Sequence, residues 1–360
     1  MAANPPSLLN ATCPVNVSDH ERIVLGHGSG GKLTAALIAD TFLPAFANPI
    51  LERMDDQAVV EFGPERLAFT TDSFVVTPIF FPGGDIGSLA VHGTVNDLAM
   101  AGARPLYLAA AFILEEGLAR EDLRRVVASM GQAARDCGVQ VVTGDTKVVN
   151  RGQADRIFIT TTGVGLVPAG VTVSANRARP GDHILLSGTM GDHGMAILSQ
   201  REGLEFEAAI ASDTTPLYSL VAEMLAAAGR EPGGTDAIRC LRDPTRGGLA
   251  TSLHEIAASS GVAMRVRQQA IPVRESVASA CELLGIDPLY VANEGKLVAV
   301  VAPEASERVL AAMCAHPLGR GACRIGEVAA AARAQVLLET EIGGTRLLDT
   351  LFHEQLPRIC

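Results

Sequence analysis

Cysteine is the last residue of this 360-residue sequence, in Pro357-Arg358-Ile359-Cys360. A thiol with no chain beyond it reads either as a carrier that an arm brings into a site or, taken alone, as a free cysteine on a frayed terminus. Gly343, Gly344 and Pro357 argue against a packed helix upstream. From Gly343 an extended chain reaches on the order of 50 Å at about 3.3 Å per residue. Carboxylates are the second chemical feature. Asp55-Asp56, Asp72 in TTDS, Asp97 in VND and Asp145 in TGDTK fall at the ends of expected strands or helices. Singly, each reads as a capping or turn residue. Together, three of the four sites flanked by Thr, Ser or Asn, they look like an oxygen-ligand set for magnesium. That ion takes one or two carboxylates together with waters and phosphate oxygens. Lys147, two residues beyond Asp145, reads either as a counter-charge for the same phosphates or as a solvated surface lysine.

Glycine-rich turns supply places for an anion. Gly26-His27-Gly28-Ser29-Gly30-Gly31-Lys32 satisfies a dinucleotide fingerprint and most of a P-loop. The P-loop reading lacks its Ser or Thr, because Leu33 follows the lysine. The dinucleotide reading lacks a clear βαβ unit, because the next segments look like antiparallel hairpin strands. The narrower message is that backbone N–H groups free of side chains can cradle an anion. Asp243-Pro244-Thr245-Arg246-Gly247-Gly248 precedes an expected helix. It reads as a helix start joined by an arginine at an anionic group, or as a plain Asp-Pro turn. Asn293-Glu294-Gly295-Lys296 lies before an apolar strand, where Glu294 is either a partly buried base or part of a hairpin turn. His27, His92, His193 and His254 lack metal-ligand spacing and are read as structural or as ordinary polar contacts.

Elements that must position these residues follow from periodicity and punctuation. Strands are expected at 58–62, 67–71, 74–79, 139–143 and 156–166, with helices at 87–102 and 121–137. The 121–137 helix carries Leu123, Val126, Val127, Met130, Ala134 and Cys137 on one face. After Pro168-Ala169-Gly170 the pattern restarts with a strand at 183–186 and the turn SGTMGDHG at 187–194. Helices near 215–228, 247–260, 275–284 and 304–315 follow, with strands at 262–266 and 297–301. The expected division is a loosely ordered extension over 1–20, one domain over 21–168, a second over 169–330 and a tail over 331–360.

Composition narrows the function classes. Lys plus Arg number 29 against 40 Asp plus Glu, a net charge of −11, which argues against a general nucleic-acid or membrane-surface binder. Aromatics make up 4% and tryptophan is absent, so the cores must be Ala, Val, Leu and Ile. The seven cysteines (13, 137, 240, 281, 314, 323 and 360) form no CxxC pair, which fits free thiols in a reducing cytoplasm. Neither a signal peptide nor a bilayer-spanning stretch is expected.

Taken together, GHGSGGK, TTDSF, VNDLAMAGARP, TGDTKVV, SGTMGDHG, RDPTRGGL, ANEGKL and the terminal PRIC resemble the hydrogenase maturation family HypE. That family lies within the aminoimidazole-ribonucleotide-synthetase-like, or PurM-like, ATP-binding superfamily. The resemblance covers about residues 21–360, and the terminal PRIC is what selects this family. It implies a two-domain PurM-like fold: an N-terminal α/β domain that dimerises through its β-sheet, and a C-terminal α+β domain. It implies ATP and Mg²⁺ as cofactors, with ATP at Gly28, Ser29, Gly30, Gly31, Lys32, Asp72, Asn96, Asp97, Asp145, Thr146, Thr245 and Arg246. The metal candidates are Asp55, Asp56, Asp72, Asp97 and Asp145. The implied chemistry is ATP-dependent dehydration of a carbamoyl group on Cys360 to a thiocyanate, with Glu294 as base and Lys147 at the phosphoryl group. The implied partners are a HypF-type carbamoyltransferase, a HypC–HypD complex that receives the cyano group on iron, and a second copy of the chain. Two rival readings are another ATP-dependent enzyme of the superfamily and a non-catalytic scaffold. A selenophosphate synthetase would carry its reactive residue in an N-terminal glycine-rich segment, a context that Cys13 lacks.

Overall fold

The computed structural model describes residues 23–28, 30–46, 48–204, 209–229, 237–351 and 359–360. The expected extension over 1–20, Ser29 and the Pro357-Arg358 pair lie outside the described residues.

The glycine loop begins with a 3-10 turn, Leu25–Gly28, and runs into α1 (Lys32–Leu37) and α2 (Leu43–Phe46). No strand precedes it among the described residues, so among them the loop opens no βαβ unit of a dinucleotide site. β1 (Ala58–Phe62) and β2 (Glu65–Phe74) form an antiparallel hairpin. The expected strand at 74–79 is not formed: Phe74 closes β2, and Pro78 has no N–H to offer a ladder. A small hairpin, β3 (Phe80–Phe81) and β4 (Gly84–Asp85), leads into α3 (Ile86–Met100). Asp85 starts α3 by accepting from Gly87 N (2.7 Å) and Ser88 N (3.1 Å), while Ser88 Oγ accepts from Asp85 N, a capping box. Then come β5 (Arg104–Glu115), α4 (Arg120–Asp136), β6 (Gln140–Val149) and β7 (Ile157–Val167). The sheet order is β1-β2-β7-β5-β6. β5 and β6 run parallel with α4 as their crossover, and the other pairs are antiparallel. α3 packs on β2 and β7 on one side and on α4 on the other, which is why it is apolar nearly all round.

The second half contains β8 (His183–Leu186), α5 (Asp192–Glu202), α6 (Tyr218–Ala228), β9 (Ile238–Arg242), α7 (Gly248–Ser260) and β10 (Ala263–Arg267). It continues with α8 (Glu275–Leu284), β11 (Val298–Val301), α9 (Pro303–Ala315), β12 (Cys323–Ala329), β13 (Gln335–Glu339) and β14 (Thr345–Leu347). These strands make a seven-stranded sheet in the order β14-β13-β10-β12-β8-β11-β9. The segment from 331, expected as a tail, therefore begins with sheet. β13 pairs in parallel with β10, and Val336 and Leu338 are fully buried. An apolar cluster spans both halves, joining α3 and α4 to Met195, Ile197, Val277 and Cys281. Ile359 is packed into this cluster.

Candidate active site

Four chain segments meet where the two halves join. Asp72 lies near the end of β2, and Asp97 lies on α3 facing it. Asp243, Thr245 and Arg246 come from the loop before α7, and Glu294 from the loop before β11. They line a cavity of about 50 Å³ together with Cys360. Asn293 ties the loops: its Nδ2 donates to Pro244 O (3.1 Å), and its Oδ1 accepts from Gly191 N (2.7 Å). At Gly295 the backbone passes so close to Asp213 that a Cβ would stand 1.9 Å from its carbonyl oxygen, so no side chain fits. Lys296 pairs with Asp213 at 3.0 Å, and Asp213 Oδ1 accepts from Glu294 N at 3.0 Å. The Asn-Glu-Gly-Lys sequence is thus a brace that presents Glu294 to the cavity.

The cavity concentrates carboxyl groups in a place that resists ionising all of them. Burial and then mutual repulsion hold Asp97 and Asp243 well above the usual carboxylate range. Burial also raises Asp72, opposed by Arg246 and by a hydrogen bond with Asp97. Thr70 Oγ1 donates to Asp97 Oδ2 at 2.6 Å. Behind them Asp56 is raised to about 6, chiefly by burial, although Arg242 stands 3.1 Å away. Glu294 is 2% exposed, its Oε1 has no hydrogen-bond partner, and burial with the charges of Asp243, Asp213 and Asp72 pushes it well up. Arg246 is the cation that lines the cavity against these carboxyls.

Arg246 joins the glycine loop to this cavity, with Nη1 donating to Gly28 O at 3.0 Å. Gly30 has φ +76°, and a Cβ there would lie 3.2 Å from Arg246 Cβ and O, which explains glycine at this position. Gly31 caps α1. Lys32 is held by the C-terminal segment: its Nζ pairs with Asp349 at 2.5 Å and its N donates to Leu351 O at 2.9 Å.

The end of the arm is docked. Val75 N donates to Cys360 O at 3.1 Å, and His193 Nε2 donates to Ile359 O at 2.6 Å. Ile359 is buried. Burial pushes Cys137 and Cys240 up to about 12 and Cys281 to about 11, which leaves these internal thiols protonated and inert at neutral pH.

Several expected site residues lie elsewhere. Asn96 spends its amide on the chain: Nδ2 donates to Thr215 O and Glu294 O, and Oδ1 accepts from Leu217 N. Asp55 is likewise turned away from the cavity, accepting from Ser174 Oγ (2.7 Å) and Ala175 N (2.8 Å). Asp145 and Lys147 pair with each other at 2.7 Å on exposed β6, with Thr146 between them. Sheet parity decides their place. Thr71 and Ser73 flank inward-facing Asp72 and register with Thr162 and Thr160 on β7, which register in turn with Ala109 and Ala111 on β5. Ala111 and Ile113 are opposite Asp145 and Lys147. Cross-strand neighbours share a face, so Asp145 and Lys147 lie on the outer face, across the sheet from Asp72. Asp243 and His193 were missed as site residues. Asp243 was legible as part of the DPTRGG turn, whereas nothing in the sequence marked His193 as touching the arm.

The donor set suits magnesium in type, being all oxygen around an orphaned Glu294 Oε1. Among the described residues no three His, Cys, Asp or Glu side chains converge as a ready-made ligand cage.

Residues 54–167 match the AIR synthase related protein N-terminal domain family, and residues 179–339 match its C-terminal domain family. The carbamoyl dehydratase HypE of Azotobacter vinelandii is 60% identical over 334 residues, covering 93% of this chain and 96% of that protein. The chain belongs to the HypE family. A crystal structure of HypE in complex with ATP aligns with TM-score 0.78 at 54% identity, covering 94% of this chain and all of that one. The HypE of a crystallised HypE–HypF complex aligns with TM-score 0.82 at 49% identity, covering 88% of this chain. The two-domain PurM-like fold expected from the sequence is the fold of these HypE structures.

Proposed function

We propose that this chain is an ATP-dependent carbamoyl dehydratase that works on its own terminal cysteine. The observation that carries the reading is Cys360 docked in a carboxylate cavity beside the orphaned Glu294 Oε1. A HypF-type partner loads the thiol as –S–C(=O)–NH₂. Amide oxygen is a poor leaving group, and transfer of the ATP γ-phosphoryl group onto it makes it a good one. Loss of both nitrogen protons, with departure of phosphate, then leaves –S–C≡N. Glu294 takes the protons as base. Arg246, Gly28, Gly30, Gly31 and Lys32 form the anion-binding side, with Thr245 at the approach to α7. Asp72 and Asp97, with Asp56 behind them, would hold Mg²⁺, which supplies positive charge at the phosphates. Asp243 is well placed to join them.

The homodimer is part of this reading. The outer sheet face exposes Phe69, Tyr107 and Ile113, an apolar surface suited to a second copy. Stacking two such faces would bring Asp145, Thr146 and Lys147 of one protomer toward the nucleotide of the other, where Lys147 offsets charge on the phosphoryl group. The cyano group then passes to iron on a HypC–HypD-type complex, for a nickel–iron hydrogenase. A cytoplasmic setting, in keeping with cysteines that form no disulfide among the described residues, belongs to the same reading; no helix among the described residues is long and apolar enough to cross a membrane.

Incubating the protein with a carbamoyl donor, the HypF-type partner and ATP, then analysing the C-terminal peptide by mass spectrometry, tests the proposal. Carbamoyl without ATP and thiocyanate with ATP, both on Cys360, are expected. Adducts on an internal cysteine, or none, would refute it.

A further inference from the structure

His193 touches the arm from beneath the site, on the first turn of α5, and the reaction as described does not use it. It is fully buried, stands edge-on to Phe81 with ring centroids 5.7 Å apart, and spans two partners. Nε2 lies 2.6 Å from the carbonyl oxygen of Ile359, and Nδ1 lies 2.7 Å from Ser212 Oγ. We propose that His193 is the latch of the carrier arm, a positioning residue that holds Ile359 and so seats the Cys360 side chain among the carboxylates.

The protons of this chain of contacts can be assigned. A carbonyl oxygen only accepts, so His193 Nε2 carries a hydrogen. Ser212 Oγ already accepts from Thr214 N at 3.1 Å, which leaves its own hydrogen to point at Nδ1. Burial disfavours the imidazolium, so the ring is neutral with Nε2 as donor. Ser212 is itself fixed, its N donating to Pro82 O at 2.8 Å. The ring therefore reaches the arm in one tautomer and one orientation. Asp213, the charge that acts on it most, is engaged with Lys296 and Glu294 N. Ile359 contributes apolar burial and Val75 a second backbone contact, so the latch sets the final seating of the arm. An arm that is loaded by a separate protein must leave this seat and return. Among the described residues the latch is the single side-chain hydrogen bond found on Ile359, and it is made to the backbone. It therefore works whether the neighbouring thiol is free, carbamoylated or cyanated.

The consequence for turnover rests on Cys360 being the carrier, but the latch can be read without that chemistry. In the full-length protein, alkylation of Cys360 by iodoacetamide, followed on the C-terminal peptide by mass spectrometry, reports undocking directly. His193→Phe keeps a buried ring and removes the donor, whereas His193→Gln keeps an N–H near the Nε2 position. Loss of one net hydrogen bond is expected to raise the Cys360 alkylation rate about 2- to 10-fold in the Phe variant, and Gln should restore most of the protection. With a preloaded arm, dehydration in the Phe variant should slow severalfold or more, since misplacement by about 1 Å can cost on the order of 10²-fold. Loading by the HypF-type partner and ATP affinity should not fall. Parental alkylation in His193→Phe overturns the proposal, as does a parallel loss of loading, dehydration and melting temperature that Gln does not rescue. Should the Phe variant misfold, Ser212→Ala removes the hydroxyl that orients the ring: faster alkylation there supports the latch, and an unchanged rate refutes it. If alkylation responds as expected while no carbamoyl chemistry occurs on Cys360, the carrier reading fails and the latch stands.

Discussion

Glu294→Gln separates the chemistry of the cavity from its architecture. The substitution keeps shape and removes basicity. In the free protein Glu294 is buried, its Oε1 is unpartnered and its acid is pushed well up by burial and by Asp243, Asp213 and Asp72. Burial disfavours its charged form, so a neutral amide of the same shape replaces it at small cost. The melting temperature should stay level or rise slightly, and ATP binding and carbamoyl loading should survive. Dehydration should not: a positioned base contributes about 10²–10⁴-fold, equivalent to roughly 3–5 kcal/mol of barrier. The assay is single-turnover conversion of a preloaded arm to thiocyanate at saturating ATP, quenched and read on the C-terminal peptide. Because a base acts only when deprotonated, the parental rate should climb with pH until the raised pKa is passed, and the Gln variant should lose that climb. The expected end state is a stalled carbamoyl thioester on Cys360. Thiocyanate formation at the parental rate in Glu294→Gln would place the base elsewhere and overturn the reading of the brace.

Cys360→Ala should fold and bind ATP yet take no adduct, and thiol-adduct mapping would detect any transfer to Cys137, Cys240 or Cys281. Asp97→Asn should weaken magnesium-dependent ATP binding severely; calorimetry with unchanged affinity would return Asp97 to a purely structural role. In the free protein, Asp56, Asp97, Asp243 and Glu294 hold protons that the unfolded chain would release, so stability falls as pH rises from about 4 through 6 and beyond, by at most about 1.4 kcal/mol per pH unit for each such group. Melting curves from pH 5 to 8 should show that slope, and Asp97→Asn should flatten it; a melting temperature that rises with pH would contradict the charge assignment. If Lys147 acts in the partner's site, Lys147→Ala mixed with Glu294→Gln should regain about a quarter of parental activity through mixed two-fold dimers, whereas a Lys147 acting within its own chain would give no recovery.

Much of this was legible in the sequence because motifs and punctuation reported local geometry faithfully. The helix over Arg120–Asp136 follows from its apolar stripe, and β11 from an unbroken Val-Ala-Val-Val run. β5 escaped notice because Ala109, Ala110 and Ala111 carry little preference for a strand; pairing with β6 on one side and β7 on the other makes it one. β13 and β14 escaped because Gly343 and Gly344, the turn between them, read as a loose arm. Within the site, Asp72, Asp97, Arg246, Glu294 and Cys360 were foreseen and do meet. Asp55 and Asn96 were indistinguishable from ligands in sequence, since a carboxylate or amide beside a motif does not disclose which backbone groups need it. The opposite placement of Asp72 and Asp145 depends on strand parity within the paired sheet, which single motifs do not carry.

The most direct test follows the oxygen atom. The arm is loaded with a carbamoyl group whose carbonyl oxygen is oxygen-18, and one turnover is run with unlabelled ATP in ordinary water. Dehydration through a phosphorylated carbamoyl oxygen predicts that the label leaves Cys360 and appears in the released phosphate, one labelled oxygen for each thiocyanate formed. Unlabelled phosphate with the label still on the arm, or lost to water, would mean that ATP is merely hydrolysed and would contradict the account.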